Sequence, residues 1–219
     1  MIELYTGLIG GGKTYSAVER IRNYLLAGGL LCITNIKINI DELGKQLLRA
    51  GLTVDVNKVL KCVDNDAILK YEDHPRGISE ELSVLIVIDE GSEILDAQDW
   101  KKSDSRFMSF LRQSRKFFQD IIIIVQHEAM INKRVRMLSA FIWYFRDMSK
   151  YKVPVLGIKW PFGSQIVQFR YDRLSKVCLG KYWKAKDKRI FALYDTTQVF
   201  RDFGNPASFT TAYIRFNSG

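Results

Sequence analysis

Short apolar runs recur along this 219-residue chain, separated by polar or glycine-rich segments. The runs VLIVI at 84–88 and IIIIV at 121–125 are apolar throughout, without the polar alternation of a half-exposed strand. Such runs are typical of strands that a parallel sheet buries on both faces. Strands are predicted at 2–5, 30–36, 82–90, 120–126 and 141–145.

Between these runs, apolar residues recur every three or four positions. Val18, Ile21, Leu25 and Leu26 form one such stripe, and a glycine pair after them is a helix stop signal. The segment 52–81 is polar and carries no clear pattern. Helices are predicted at 15–27, 41–50 and 103–118. Alternating strands and helices predict an α/β fold, with a mostly parallel sheet flanked by crossover helices.

The pattern changes after residue 150. The segments 165–172 and 189–195 resemble β-hairpin strands and lie between glycine- and proline-containing breaks. We therefore expect two parts, an α/β core at 1–150 and a basic, β-rich C-terminal appendage at 151–219.

Charge is divided unevenly along the chain, whose net charge is +9. Residues 1–100 carry 10 basic and 16 acidic side chains, a net −6, whereas residues 101–219 carry 23 basic and 8 acidic ones, a net +15. This asymmetry favours a polyanionic partner for the second half, either nucleic acid or an anionic membrane face. A solvated basic surface is the alternative.

Composition excludes several classes of protein. The three cysteines are far apart and form no CxxC pair, which argues against a disulfide framework or a zinc ribbon. No signal peptide is visible, and each apolar run is far shorter than the roughly 20 residues that span a bilayer. We expect a soluble, cytoplasmic chain. The lone histidines, His74 and His127, are expected to be structural.

The segment GLIGGGKT at 7–14 matches the phosphate-binding P-loop, and it lies between a predicted strand and a predicted helix. Glycines let backbone N–H groups turn toward phosphates, and the helix start adds positive potential. Lys13 supplies a charge for the β- and γ-phosphates, and Thr14 a hydroxyl for Mg²⁺. The predicted nucleotide-binding residues are Gly7, Leu8, Ile9, Gly10, Gly11, Gly12, Lys13, Thr14 and Tyr15.

Two further strands end in polar residues that suit this chemistry. Asp89 and Glu90 follow the VLIVI run, where Asp89 would hold Mg²⁺ and Glu90 would polarise the attacking water as general base. Gln126 closes the IIIIV run and would sense the γ-phosphate or orient the water. Polar strand ends without a catalytic role are the alternative for all three residues.

Basic residues outside the P-loop form two groups. Arg106, Arg112 and Arg115 lie on the predicted helix 103–118, and one of them could reach the phosphate of a neighbouring subunit; a solvated basic face is the alternative. YWKAKDKR at 182–189 mixes aromatic and basic residues, and Tyr182 and Trp183, with Trp160, could stack on bases. Packing of these rings on the sheet is the alternative.

Five segments, taken together, resemble the zonular occludens toxin (Zot) family over roughly residues 1–200, and that family includes the assembly ATPase of filamentous phages. The segments are MIELYTGLIGGGKTYSAV at the start, TNI at 34–36, VIDE at 87–90, RQSRKFFQDIIIIVQH at 112–127 and LYDT at 193–196. Many NTPases share the P-loop and VIDE, so the order and spacing of the other segments make the resemblance specific.

The resemblance implies a homo-oligomeric, additional-strand P-loop ATPase that uses ATP and Mg²⁺. Relatives sit at the cytoplasmic face of the host inner membrane and help to extrude phage. By matching positions, residues 7–14 would bind nucleotide, Asp89 and Glu90 would serve Mg²⁺ and catalysis, Gln126 would be the sensor, and Arg115 would be the finger. Relatives also carry a membrane span after this domain. The chain shows none before Gly219, so it would be either truncated or a compact version.

Two other functions remain open at this point. Small relatives in the FtsK/HerA-like group package double-stranded DNA into viral capsids, and the basic second half would suit that partner. A nucleotide-dependent switch or scaffold with negligible turnover is the third possibility.

Overall fold

Strands and short helices alternate through the computed structural model, which describes residues 1–70, 75–96, 105–150 and 164–195. The strands are β1 Ile2–Thr6, β2 Leu31–Thr34, β3 Leu60–Cys62, β4 Val84–Ile88, β5 Gln119–Ile124, β6 Phe141–Asp147, β7 Gln165–Asp172 and β8 Cys178–Ala185. The helices are α1 Lys13–Leu26, α2 Ile40–Arg49, α3 Val56–Val59, α4 Asn65–Leu69, α5 Gly91–Ile94, α6 Ser105–Gln113, α7 Lys133–Leu138 and α8 Lys188–Phe191.

These strands form one sheet in the order β3-β2-β4-β5-β1-β6-β7-β8. The strands from β3 to β6 in this order run parallel, and β7 and β8 extend the sheet by antiparallel pairing. The mostly parallel α/β sheet is therefore confirmed. Strand β5 lies between β1 and β4, which is the additional-strand arrangement that the family resemblance implies.

The core lies on both faces of this sheet. One face packs on α1 through Val18, Ile21 and Leu25, and the other packs on α6 and α7. In β4, Leu85 faces the first cluster and Ile86 the second, so the whole strand is buried. Burial on both faces explains why this strand is apolar at every position.

The C-terminal part contains one confirmed strand and one wrong prediction. Residues 165–172 form β7, as predicted, and pair with β8 rather than with 189–195. Residues 188–191 form the short helix α8, because the Asp187 carboxylate accepts a hydrogen bond from the Arg189 N–H at 2.9 Å. Ile190 and Leu193, three positions apart, are both buried.

Two other regions differ in detail. The segment 52–81, without a clear pattern, contains α3, β3 and α4, each of at most five residues and thus too short to show a period. The sequence predicts a helix over 103–118, but helix α6 ends at Gln113 and residues 114–118 form turns. The division at residue 150 stays a prediction, although β6 and β7 on either side of it share one sheet.

Candidate nucleotide-binding site

A cleft of about 420 Å³ lies at the carboxyl ends of β1, β4 and β5. Parallel strands bring their carboxyl ends to the same edge, so segments distant in sequence meet there. The predicted residues that line the cleft are Ile9, Gly10, Gly11, Gly12, Lys13, Thr14, Tyr15, Asp89, Glu90 and Gln126. The structure therefore brings most of the predicted site residues together in one cavity.

The loop that joins β1 to α1 depends on its glycines. Gly7 and Gly12 have φ of 137° and 96°, values that side chains rarely permit. A Cβ on Gly7 would lie 2.5 Å from the Phe145 carbonyl oxygen, and one on Gly11 would lie 2.9 Å from the Leu8 carbonyl oxygen. The backbone is thus packed too closely for a side chain at Gly7 or Gly11.

Helix α1 begins at the end of this loop without a side-chain cap, since Gly12 has none to offer. The first N–H groups of a helix need a partner and carry positive potential, which makes this end of the cleft suitable for a phosphate. The side chain of Leu8, at the tip of the loop, is 74% exposed. Leu8 therefore contributes to the cleft through its backbone, whose carbonyl oxygen accepts from Lys13.

Lys13 folds back over the loop. Its ammonium donates to the carbonyl oxygen of Gly7 at 2.7 Å and to that of Leu8 at 3.1 Å. Burial lowers the pKa of Lys13, and the charges of Glu90 and Asp89 oppose that shift. The carboxylates therefore favour a charged lysine inside a partly dehydrated cleft.

The Thr14 hydroxyl donates to the Asp89 carboxylate at 3.0 Å. Burial raises the pKa of Asp89 to about 6, against the opposing effect of hydrogen bonds from the Glu90 N–H and Thr14. Asp89 is only 8% exposed, so few water molecules can solvate its carboxylate. A hydroxyl and a carboxylate side by side are hard oxygen ligands of the kind that Mg²⁺ takes in phosphate sites.

The sequence reasoning missed Asn35, which fixes the end of β4. Its side chain accepts from the Asp89 N–H at 2.7 Å and donates to the Asp89 carbonyl at 2.9 Å. Asn35 is fully buried at the end of β2. The signal was present in the sequence, since this asparagine interrupts an apolar run and belongs to the TNI segment.

Glu90 follows directly and has φ of 47°, in the left-handed region. For a residue with a Cβ this conformation costs about 1–2 kcal/mol. It lets the chain turn sharply from β4 into α5, with the Glu90 N–H bonded to the Asp89 carboxylate at 2.9 Å. The turn leaves both acidic residues lining the same cleft.

Gln126 and Arg115 lie near opposite ends of the central strand β5, Gln126 after its carboxyl end and Arg115 before its start. Gln126 lines the cleft after β5, and its carbonyl accepts from the Gly7 N–H at 3.2 Å. Arg115 is exposed before the start of β5, in a separate cleft with Met1 and Gln119. From this end of the strands, Arg115 cannot reach a phosphate in the P-loop of its own chain. Its role as an arginine finger for a neighbouring chain stays a prediction.

The remaining single-residue predictions have mixed outcomes. The His127 ring accepts from the Ala129 N–H at 3.1 Å, which is a structural capping contact. Tyr182 and Trp183 are consecutive in β8 and so face opposite sides of the sheet, and Tyr182 packs 5.6 Å from Trp143. Tyr182 thus packs on the sheet, as in the alternative, and stacking of these rings on bases stays a prediction. His74, Trp160 and the Arg106 side chain lie outside the described residues.

The C-terminal segment contributes residues that the sequence did not single out for this site. Lys186 and Asp147 line the cleft and form an ion pair at 2.6 Å. Burial opposes the charge of Asp147, but hydrogen bonds from Lys186 and Ser149 outweigh it and lower the pKa of Asp147. A basic side chain is thus held at the cleft by a partner on β6.

Three aromatic side chains complete one side of the cleft. Phe191 lies 5.0 Å from the Tyr15 ring and 6.4 Å from the Tyr194 ring, between centroids. Phe191 is 38% exposed, whereas the two tyrosines are buried. The Tyr15 hydroxyl accepts from the Asp187 N–H at 2.7 Å and so ties α8 to α1. This side offers planar apolar surface next to the phosphate end.

Within the part of the chain that the structure describes, no group of three or more histidine, cysteine or acidic side chains could hold a metal by itself. The cysteines Cys32, Cys62 and Cys178 are free thiols.

A family model for zonular occludens toxin (Zot) matches residues 1–199. The Gene 1 protein of Salmonella phage IKe is 27% identical over 217 residues, which cover 91% of this chain and 57% of that protein. The Gene 1 protein of Escherichia phage If1 is 25% identical, over 97% of this chain and 64% of that protein. The chain spans about three fifths of the length of these relatives.

Solved structures share the fold. The N-terminal domain of zonular occludens toxin from Neisseria meningitidis superposes with a TM-score of 0.56 and 16% identity, over 89% of this chain and 98% of that one. The genome packaging NTPase B204 from Sulfolobus turreted icosahedral virus 2, in complex with AMPPCP, gives 0.52 and 16% over 85% and 98%. At this identity the likeness shows a common P-loop NTPase fold.

None of the helices in the described ranges combines the length and the apolar character that a membrane crossing requires.

Proposed function

This chain belongs to the zonular occludens toxin family, and from that premise we propose that it is a Mg²⁺-dependent P-loop ATPase that powers phage assembly and extrusion at the host inner membrane. The observation that carries the proposal is the contact between Thr14 and Asp89, which joins the P-loop to the end of β4.

The phosphate end of the cleft supports a nucleoside triphosphate as substrate. The glycine loop, the uncapped start of α1 and the Lys13 ammonium all offer positive potential in the same place. Lys13 donates to two loop carbonyls, and we infer that its ammonium exchanges these bonds for phosphate oxygens when a nucleotide binds. The B204 neighbour was solved in complex with AMPPCP, which supports this choice of ligand.

The paired oxygens of Thr14 and Asp89 fit a magnesium ion, because both are hard oxygen ligands of the kind that this cation prefers. Mg²⁺ bound there would neutralise charge that develops on the phosphates. Glu90, in the same cleft, would hold the attacking water and accept its proton. Gln126, also in the cleft, would orient that water or sense the γ-phosphate.

The aromatic side of the cleft supports a purine base as the remaining part of the ligand. Phe191 is half-exposed beside two buried tyrosine rings, so a base can stack on it without rearrangement of the core. We therefore propose ATP rather than a simple polyphosphate. The Lys186 ammonium lies in the same cavity and adds a second positive charge near the nucleotide.

The work that hydrolysis performs is proposed from the family rather than from the cleft. The Gene 1 relatives are proteins of phages, and the family resemblance includes the assembly ATPase of filamentous phages. This relationship favours extrusion of virions by a homo-oligomer that works in the host cytoplasm, at the inner membrane. Two observations favour a second candidate, packaging of viral double-stranded DNA: B204 is a genome packaging NTPase, and residues 101–219 carry a net +15.

The test is phosphate release from ATP by the purified chain, with Mg²⁺ or with EDTA, and with or without double-stranded DNA at two salt concentrations. We expect Mg²⁺-dependent turnover that Lys13→Ala abolishes and that the exposed-lysine control Lys45→Ala retains. Turnover that is indifferent to DNA supports the assembly ATPase, and strong, salt-sensitive stimulation supports packaging. Absence of turnover with retained ATP binding would instead support a nucleotide switch, and full activity in Lys13→Ala would overturn the proposed site.

A further inference from the structure

A second cleft lies on the opposite face of the sheet from α1, remote from the P-loop. It has a volume of about 760 Å³, and its floor consists of Ile142 and Tyr144 from β6 and Phe169 and Tyr171 from β7. Helix α7 forms one wall through Lys133 and Arg136. We call this surface the β6–β8 cleft, since Lys181 of β8 continues it.

Strand register arranges aromatic and basic side chains in rows across this face. Tyr144 is the cross-strand partner of Phe169, and Phe169 is the partner of Lys181. In the next row, Ile142 lies opposite Tyr171. Rows two residues apart along a strand are about 6.8 Å from each other. The rings of Tyr144, Phe169 and Tyr171 are half-exposed, so they present a stepped aromatic surface to the cleft.

Cations lie near two aromatic rings on this face, those of Phe169 and Trp183. The Lys181 ammonium is 5.5 Å from the Phe169 ring centre and 4.7 Å from that of Trp183. The Arg146 guanidinium is 5.9 Å from the Phe169 ring centre. Both Arg146 and Lys181 are exposed. Phe169 thus has two positive charges beside it at cation–π distance, and one of them, Lys181, also lies beside Trp183.

The charge balance of the β6–β8 cleft is positive. Five basic and two acidic side chains line it. One of the acids, Asp172, accepts hydrogen bonds at 2.7 Å from the N–H and the hydroxyl of Ser175, so part of its charge is used within its own turn. The cleft therefore attracts an anion, and its aromatic floor favours an anion that carries planar groups.

We propose that the β6–β8 cleft binds single-stranded nucleic acid, with bases stacked on Tyr171 and Phe169 and phosphates paired with Arg146 and Lys181. Unpaired bases expose faces that stack on aromatic side chains regardless of sequence. A duplex keeps those faces buried and presents only its backbone and groove edges, and a lipid surface offers no planar groups. The inference deepens the proposed function by naming a chemical class of partner, but it does not depend on hydrolysis.

The experiment is fluorescence anisotropy of a labelled oligothymidylate of about 15 nucleotides, titrated with the 219-residue chain without nucleotide. We expect Tyr171→Leu to weaken binding about five-fold or more, because it keeps apolar volume but removes the stacking ring. Arg146→Ala should lower the salt slope by about 0.7, the contribution of one phosphate contact. Lys45→Ala, an exposed lysine on α2, should leave both quantities unchanged.

Three outcomes would overturn the inference: equal affinity for a duplex with no effect of Tyr171→Leu, binding to vesicles of anionic phospholipid without binding to the oligonucleotide, or no binding of either. If Tyr171→Leu lowers the melting temperature, the exposed pair Arg146→Ala and Lys181→Ala replaces it. Lys13→Ala should bind the oligonucleotide like the unaltered chain, so failure of this inference and failure of the ATPase proposal are separable.

Discussion

The Thr14 hydroxyl donates a hydrogen bond of 3.0 Å to the Asp89 carboxylate across 75 positions of sequence. The contact links the first turn of α1 to the end of β4, two strands away from β1 in the sheet. Asn35 holds the Asp89 backbone from β2 at the same time. Two segments, α1 and β2, therefore hold Asp89 at the end of β4, and this explains how its carboxylate stays in place although burial disfavours its charge.

The ionisation of Asp89 makes stability depend on pH. Its pKa is raised to about 6 in the folded chain, from 3.8 for an unperturbed aspartate, so the folded state binds this proton more tightly. Stability from this group therefore increases as pH falls from 7 toward 4, by about 2 to 3 kcal/mol. Asp89→Asn should be more stable than the unaltered chain at pH 7 by up to that amount, with the difference vanishing near pH 4.

Urea unfolding at pH 4, 5.5 and 7 checks this prediction, with Glu81→Gln as an exposed control. A constant difference between Asp89→Asn and the unaltered chain across that range would mean that Asp89 is ionised at its ordinary pKa. The variant should also lose Mg²⁺-dependent turnover, because an amide is a weaker ligand than a carboxylate.

Glu90→Gln should bind ATP but hydrolyse it about 100-fold or more slowly, since a positioned general base contributes that much to proton transfer. Equilibrium binding of a fluorescent ATP analogue and single-turnover phosphate release separate the two steps. Unchanged single-turnover release would remove Glu90 as the base.

Gly7→Ala should be more damaging than Gly28→Ala, although both glycines have positive φ. A Cβ at Gly28 has open space around it and costs about 1–2 kcal/mol through backbone conformation alone. At Gly7 the added Cβ also lies 2.5 Å from the backbone oxygen of Phe145, which must move. Urea unfolding of both variants gives the comparison, and nucleotide binding should be lost in Gly7→Ala only. Equal free energies of unfolding would show that the loop yields easily.

Phe191→Ala should weaken ATP binding about five-fold or more, by loss of stacking with the base. Binding of inorganic tripolyphosphate should be unchanged, because this ligand has no base that could stack on the ring. Isothermal titration with both ligands makes the test. An equal loss of affinity for tripolyphosphate would contradict stacking of the base on Phe191. It would show that Phe191 acts only through the packing of α8.

Much of the site could be predicted because its chemistry is local in sequence. The P-loop needs glycines, a lysine and a hydroxyl at fixed offsets within eight residues, and the acidic pair follows one apolar run directly. Both patterns depend on the end of a single strand. The alternation of strands and helices then predicts that parallel strand ends share an edge, which brings Asp89 to Thr14.

Tertiary structure alone decided the other half of the cleft. Lys186 and Phe191 carry no local signal for nucleotide binding, and they reach the cleft because β8 ends beside it and α8 packs on α1 through Tyr15. Register likewise decided that Tyr182 and Trp183 face opposite sides of the sheet, which a count of aromatic residues cannot reveal. Motif chemistry is set by spacing along the chain, whereas the partners of a strand and the faces of its side chains are set by pairing and burial across the whole sheet.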